Sequence, residues 1–75
     1  MQQRSIDAIY LEIGKRITDA RKSEGMSQEQ LAAASSIDRS HMGYIEQGRR
    51  KPTLSTLYKI GLTLNITLEQ LFHGF

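Results

Sequence analysis

Two helix starts only eleven residues apart constrain this chain more than any other feature. Ser27 carries a side-chain oxygen that can accept a backbone N–H at a helix N-terminus. Gln30 stands where its amide reaches back to complete a capping box. Met26 before this cap and Leu31 after it hold the offsets of a hydrophobic staple. Asp38 is a second cap, with Ile37 and Met42 at the staple positions. The interval accommodates about two turns of helix, a short turn and the next start. The residues between, Ala32, Ala33, Ala34, Ser35 and Ser36, are small enough for two helices to cross closely at a steep angle.

The same grammar recurs elsewhere. Thr67 and Gln70 form a full box stapled by Ile66 and Leu71, and Thr53 after Pro52 starts another helix. That helix is expected to bury Leu54, Leu57, Ile60, Gly61 and Leu64, with Asn65 ending it in a left-handed turn. Upstream, Ile6, Ile9, Tyr10, Ile13, Ile17 and Ala20 trace one apolar stripe at helical spacing, and Gly25 closes it. No strand alternation is evident. The expectation is an all-α fold of five helices, near 5–23, 28–35, 39–46, 54–64 and 68–73, forming a single domain over residues 1–75.

The chain's 75 residues exclude a large enzyme and allow only a thin core. Without cysteine there is neither a disulfide framework nor a thiolate metal cage. Arg4, Asp7, Glu12, Lys15, Arg16 and Asp19 interrupt the first twenty residues, which do not read as a signal peptide. No apolar run is long enough to span a bilayer, and the lack of cysteine fits the expected location, a reducing cytoplasm. His41 and His73 have no carboxylate cluster around them, and the serines lack a base at fixed spacing. No catalytic residue, metal site, cofactor or small-molecule ligand is expected. The net charge of +2 is weak, but Arg49, Arg50 and Lys51 are consecutive.

Two short helices joined by a tight turn are the helix-turn-helix arrangement, here about 27–46, whose second helix can enter the DNA major groove. Leu31, Ala32, Ile37, Met42 and Ile45 would face the core. Arg39, Ser40, His41, Gly43 and Tyr44 would face away from it, as candidate base contacts. Arg39 stands at the N-terminal end, where such helices reach base edges, and its planar fork can bond guanine O6 and N7. Ser40 and His41 can bond a base or a phosphate. Gly43 leaves room for close approach, and Tyr44 can pack on a thymine methyl or bond a phosphate. Plainer roles remain open: Arg39 as a surface partner of Asp38 or Glu46, Tyr44 as packing. Ser27 and Gln28 open a helix whose free N–H groups suit a phosphate, or are simply helix-start residues. Arg49, Arg50 and Lys51 can neutralise phosphates, or form a solvated basic loop.

The stretch MSQEQLAAASSIDRSHMGYIEQGRRKPTLSTLYKIGLTLNITLEQLF resembles the lambda-repressor-like (Xre/Cro) helix-turn-helix domains. The resemblance spans residues 13–72, with SQEQLA, IEQGRRKP and LSTLYKIGLTLNITLEQLF in family order and spacing. The segment DRSHMGYIE looks most like the small controller proteins of restriction–modification systems. One departure is Ser36, where many members place glycine in the turn. The resemblance implies that Gln28 clamps the DNA backbone and that Arg50 approaches the bases. It also implies that Arg21 and Glu46 form an ion pair tying the first helix to the third.

One recognition helix reads too few base pairs for genomic specificity, so a homodimer on a palindromic operator of double-stranded DNA is expected. Leu68, Leu71, Phe72 and Phe75, in a C-terminal region of about 65–75, offer an interface, unless they only close the monomer core. The resemblance also implies pairing through this region. It implies a regulator of its own promoter that activates at low occupancy and represses when a second dimer binds. The alternatives are an antitoxin or small phage-type repressor and, in another class, a protein-interaction module using the third helix.

Overall fold

The computed structural model describes residues 5–75; Arg4, counted above among the N-terminal charges, lies outside them. The described residues form α1 (Ile6–Ser23), α2 (Gln28–Ala34), α3 (Arg39–Glu46), α4 (Leu54–Leu64) and α5 (Leu68–Phe72). No strand occurs among them. Each helix starts on a side-chain oxygen, from Ser5, Ser27, Asp38, Thr53 and Thr67 in turn. Ser27–Gln30 and Thr67–Gln70 close complete capping boxes. Such caps satisfy the first N–H groups, which have no partner inside the helix.

The first four helices also end alike, on a left-handed residue: Gly25, Ser36, Gly48 and Asn65. In each case the next residue donates its N–H back to a carbonyl five residues earlier, as in Met26 to Arg21 at 3.0 Å and Ile37 to Ala32 at 2.9 Å. Ser36 takes φ 57, so it adopts the left-handed conformation that glycine supplies at Gly25 and Gly48 and carries the Cβ strain itself.

The core is one cluster fed by every helix. Ile13 and Ile17 come from α1, Leu31 and Ala32 from α2, Met42 and Ile45 from α3, Leu57, Ile60 and Leu64 from α4, and Leu71 from α5. The staple residues Met26, Ile37 and Ile66 pack against it, half-buried. Two expectations need correction. Ile6 and Leu54, assigned to buried stripes, are 54% and 59% exposed. Each begins its helix, one turn before the core is reached, so period alone misplaces it.

Three contacts fix the helices relative to one another. A Cβ on Gly14 would lie 2.5 Å from Ile45 O and 2.6 Å from Glu46 O, so α1 meets the end of α3 backbone to backbone. Ser35 Oγ, on a buried residue, donates to Thr63 Oγ1 at 2.9 Å and ties the turn after α2 to α4. Arg16 reaches the α5 carbonyls of Gln70 and Leu71 at 3.3 and 3.0 Å. Its guanidinium also lies 4.6 Å from the Phe75 ring centroid. A cation on the last carbonyls of α5 complements both their lone pairs and the helix dipole.

Candidate nucleic-acid interface

Asp38 sets the start of α3. Its carboxylate accepts from the N–H groups of Ser40 at 3.0 Å and His41 at 3.2 Å. Met42 and Ile45 anchor one side of the helix in the core. The opposite side presents Arg39, Ser40 and Tyr44 to solvent, with His41 half-buried. Among the described residues Arg39 has no ion pair, and neither Asp38 nor Glu46 holds it.

Gly43 is a correction. It was expected on the outer face, yet it is buried. A Cβ there would meet Arg39 Nη1 at 3.1 Å and Gln28 Oε1 at 3.7 Å. The close approach that the glycine permits is therefore that of Arg39 and Gln28, which lie over it side by side. Ser27, an expected phosphate contact, is exposed and engaged in its own capping box. Its N–H is given to Gln30 Oε1 at 2.8 Å, and its hydroxyl oxygen accepts from Gln30 N at 3.0 Å. Only the hydroxyl proton remains for another acceptor.

Beneath this face lies a polar cluster centred on Glu46. Arg21 grips the carboxylate through Nε to Oε2 at 2.8 Å and Nη2 to Oε1 at 3.0 Å, and its Nη1 donates to Met26 O at 2.9 Å. Oε1 also accepts from Gln28 Nε2 at 2.9 Å and Thr18 Oγ1 at 3.0 Å. Burial pushes the Glu46 carboxyl up. The hydrogen bonds from Arg21, Gln28 and Thr18 and the Arg21 charge together outweigh that push and leave it below the usual carboxylate range. The bond to Glu46 likewise raises Arg21 above its ordinary value, against the effect of burial. The family resemblance implied the pair but not Thr18 or the tie to Gln28, which no spacing rule connects.

The basic loop leaves α3 through Gly48, at φ 72. Gly48 packs on Leu11, whose Cα would be 2.8 Å from a Cβ there. The turn brings Arg49 N back to Tyr44 O at 2.9 Å. The guanidiniums of Arg49 and Arg50 then stand 5.5 and 5.3 Å from the centroid of the Tyr44 ring, within cation–π range. Lys51 diverges and meets Asp7 at 3.1 Å in an exposed pair worth little in stability. Arg39, Ser40, Tyr44, Arg49 and Arg50 are thus all exposed along α3 and the loop that follows it.

The C-terminal residues separate. Leu71 is a correction: at 1% exposure it belongs to the monomer core and has no surface to offer a partner. Leu68 and Phe72 are half-buried against that core, and Phe75 lies beneath Arg16. The prominent exposed apolar row is on α4 instead: Leu54, Tyr58 and Leu62, at 59%, 54% and 65% exposure, one helical turn apart. A shallow groove runs from Tyr58 and Leu62 past Ile66 to Leu68.

No helix among the described residues is long and apolar enough to cross a membrane. The family model described as helix-turn-helix matches residues 17–71. The control protein C.MunI of a Mycoplasma species is 38% identical over 65 residues, covering 85% of this chain and 88% of that protein. The restriction–modification controller protein C.AhdI from Aeromonas hydrophila superimposes with a TM-score of 0.83 at 37% identity, over 87% of this chain and 98% of its own. SinR, a master regulator for biofilm formation solved in complex with DNA, gives 0.75 at 30% identity, over 79% and 95%. The all-helical, five-helix fold matches that of these structural neighbours, and the chain belongs to the helix-turn-helix family of lambda-repressor-like, Xre-type transcriptional regulators.

Proposed function

We propose that this protein binds a palindromic DNA operator as a homodimer and acts as a restriction–modification controller at its own promoter. The observation that carries the DNA reading is the Arg39 guanidinium at the N-terminal end of α3, exposed and without an ion pair among the described residues. Its neighbours Ser40 and His41 supply hydroxyl and imidazole groups for base edges or phosphates. Arg49 and Arg50 flank them as phosphate contacts, with Arg50 nearer the bases. Gln28, held by Glu46, places a helix-start amide beside the same surface. Lys51 joins the basic field as a weaker contributor.

Dimerisation follows from energetics. Specific binding requires about 4–10 kcal/mol beyond non-specific binding, at roughly 1–3 kcal/mol per base pair read. One α3 reaches only a few base pairs, and two related by symmetry reach enough. The surface suited to pairing is the Leu54, Tyr58 and Leu62 row on α4, with Leu68 lining the groove beside Tyr58 and Leu62. Leu71 is excluded by its burial. The controller reading draws support from C.MunI and C.AhdI, each matched over most of its length. Such a regulator activates at low occupancy and represses when a second dimer fills the promoter, so its own concentration is the signal.

The test is selection of bound sequences from a random double-stranded DNA pool. The expected product is an inverted repeat with half-sites centred about 34 Å apart or a multiple of it. Enrichment of a lone, asymmetric site would remove the dimer, and absence of any enrichment would remove sequence-specific binding.

A further inference from the structure

We propose that Tyr44 is a positioning residue: its ring holds Arg49 and Arg50 ready for the DNA backbone and does not itself read a base. This rests on the DNA-binding reading above and changes the role of one residue within it. Three observations converge. The ring lies within cation–π distance of both guanidiniums, at 5.5 and 5.3 Å. The backbone is fixed at the same place, because Arg49 N–H bonds Tyr44 O at 2.9 Å through the left-handed turn at Gly48. Lys51, the third base of the run, is directed elsewhere, to Asp7.

Arginine carries several rotatable bonds, and freezing them on a ligand weakens binding. A ring that already restricts them in the free protein lowers that cost. Two like charges at the end of one loop also repel, and an aromatic ring within reach of both offsets the repulsion. A tyrosine whose ring is engaged by two cations is poorly placed to lie against a thymine methyl. The phenol hydroxyl is not needed for this role, which distinguishes it from a phosphate contact.

The experiment combines titration of the selected operator with a mutant cycle. Tyr44→Phe is expected to bind within about twofold of wild type. Tyr44→Leu, which keeps bulk without a π face, is expected to lose on the order of tenfold at unchanged melting temperature. In an Arg49→Ala, Arg50→Ala background, the same Tyr44→Leu change is expected to have no further effect. An equal loss in both backgrounds would mean that the ring touches DNA directly and would overturn the proposal. So would a Tyr44→Leu variant that binds like wild type. Stacking is checked without DNA by proton NMR. Ring-current shifts on the Arg49 and Arg50 side chains should appear in wild type and Tyr44→Phe and vanish in Tyr44→Leu. Their absence from wild type refutes the stacking while leaving DNA binding intact. Shifts present in a protein with no DNA affinity would instead refute the functional reading alone.

Discussion

Arg21 and Glu46, twenty-five residues apart, meet side by side with N–O distances of 2.8 and 3.0 Å. Their side chains are 11% and 4% exposed, so the pair is largely removed from water. It fastens α1 to the last residue of α3, and through Gln28 to the first residue of α2. The candidate interface is therefore built on a polar joint, not on the hydrophobic core alone.

Breaking that joint should cost stability first and binding second. Arg21→Ala leaves a buried carboxylate without its cation, an effect of about 3–5 kcal/mol. That is a large share of the roughly 5–15 kcal/mol that holds a small domain together. Urea unfolding followed by circular dichroism measures it. A midpoint equal to wild type would contradict the structural role.

Acid should act through the same carboxylate. Glu46 titrates below its ordinary value in the folded protein. Its contribution is therefore complete above the unfolded value of about 4.3 and is lost as pH falls through the lower folded value. The urea midpoint is expected to drop between pH 6 and pH 3, and to drop less in Glu46→Gln. Parallel pH profiles for the two proteins would show that the pair contributes nothing to acid sensitivity.

Gly14 offers a test in which local and tertiary rules oppose each other. Within an isolated helix, Gly14→Ala should stabilise by up to about 1 kcal/mol. Here the new methyl would press on the Ile45 and Glu46 carbonyls at 2.5 and 2.6 Å, and backbone cannot swing aside as a side chain does. A net loss of about 1–3 kcal/mol is expected. A raised melting temperature would mean that α1 and α3 are not in backbone contact.

These cases show what could be read from the amino acids and what could not. Caps at Ser27, Asp38, Thr53 and Thr67 placed four helix starts, because a side-chain oxygen acting on its own backbone is a local interaction. Met42 and Ile45 were legible as core for the same reason that period 3.6 was. Gly14 was not, since the carbonyls that need its space are more than thirty residues away. Gly43 looked like an opening for DNA, but its neighbours Arg39 and Gln28 come from two different helices. On α4 helical spacing picked out Leu57, Ile60, Gly61 and Leu64 as buried and left Leu62 out of that set, but it could not say that Leu54, in the first turn, lies beyond the reach of the core. The stacking of Arg49 and Arg50 on Tyr44 depends on a turn whose return path only the fold reveals.

The α4 row gives the clearest test of assembly. Leu62 is 65% exposed, so Leu62→Glu should leave the fold intact. If two copies pair through this row, a buried charge on each side should shift the protein to monomer in sedimentation equilibrium. Operator affinity should fall with it, because half-sites would then be filled independently. A dimer undisturbed by Leu62→Glu would move the interface away from α4.

The central claim is that the N-terminal end of α3 reads bases through Arg39, and a competition titration of Arg39→Ala tests it most directly. Wild type and variant are compared on the selected operator and on a scrambled duplex at fixed salt. The expected result is a loss of about 1–3 kcal/mol in preference for the operator, with scrambled-DNA affinity little changed. An Arg39→Ala protein that kept its full preference would contradict the account.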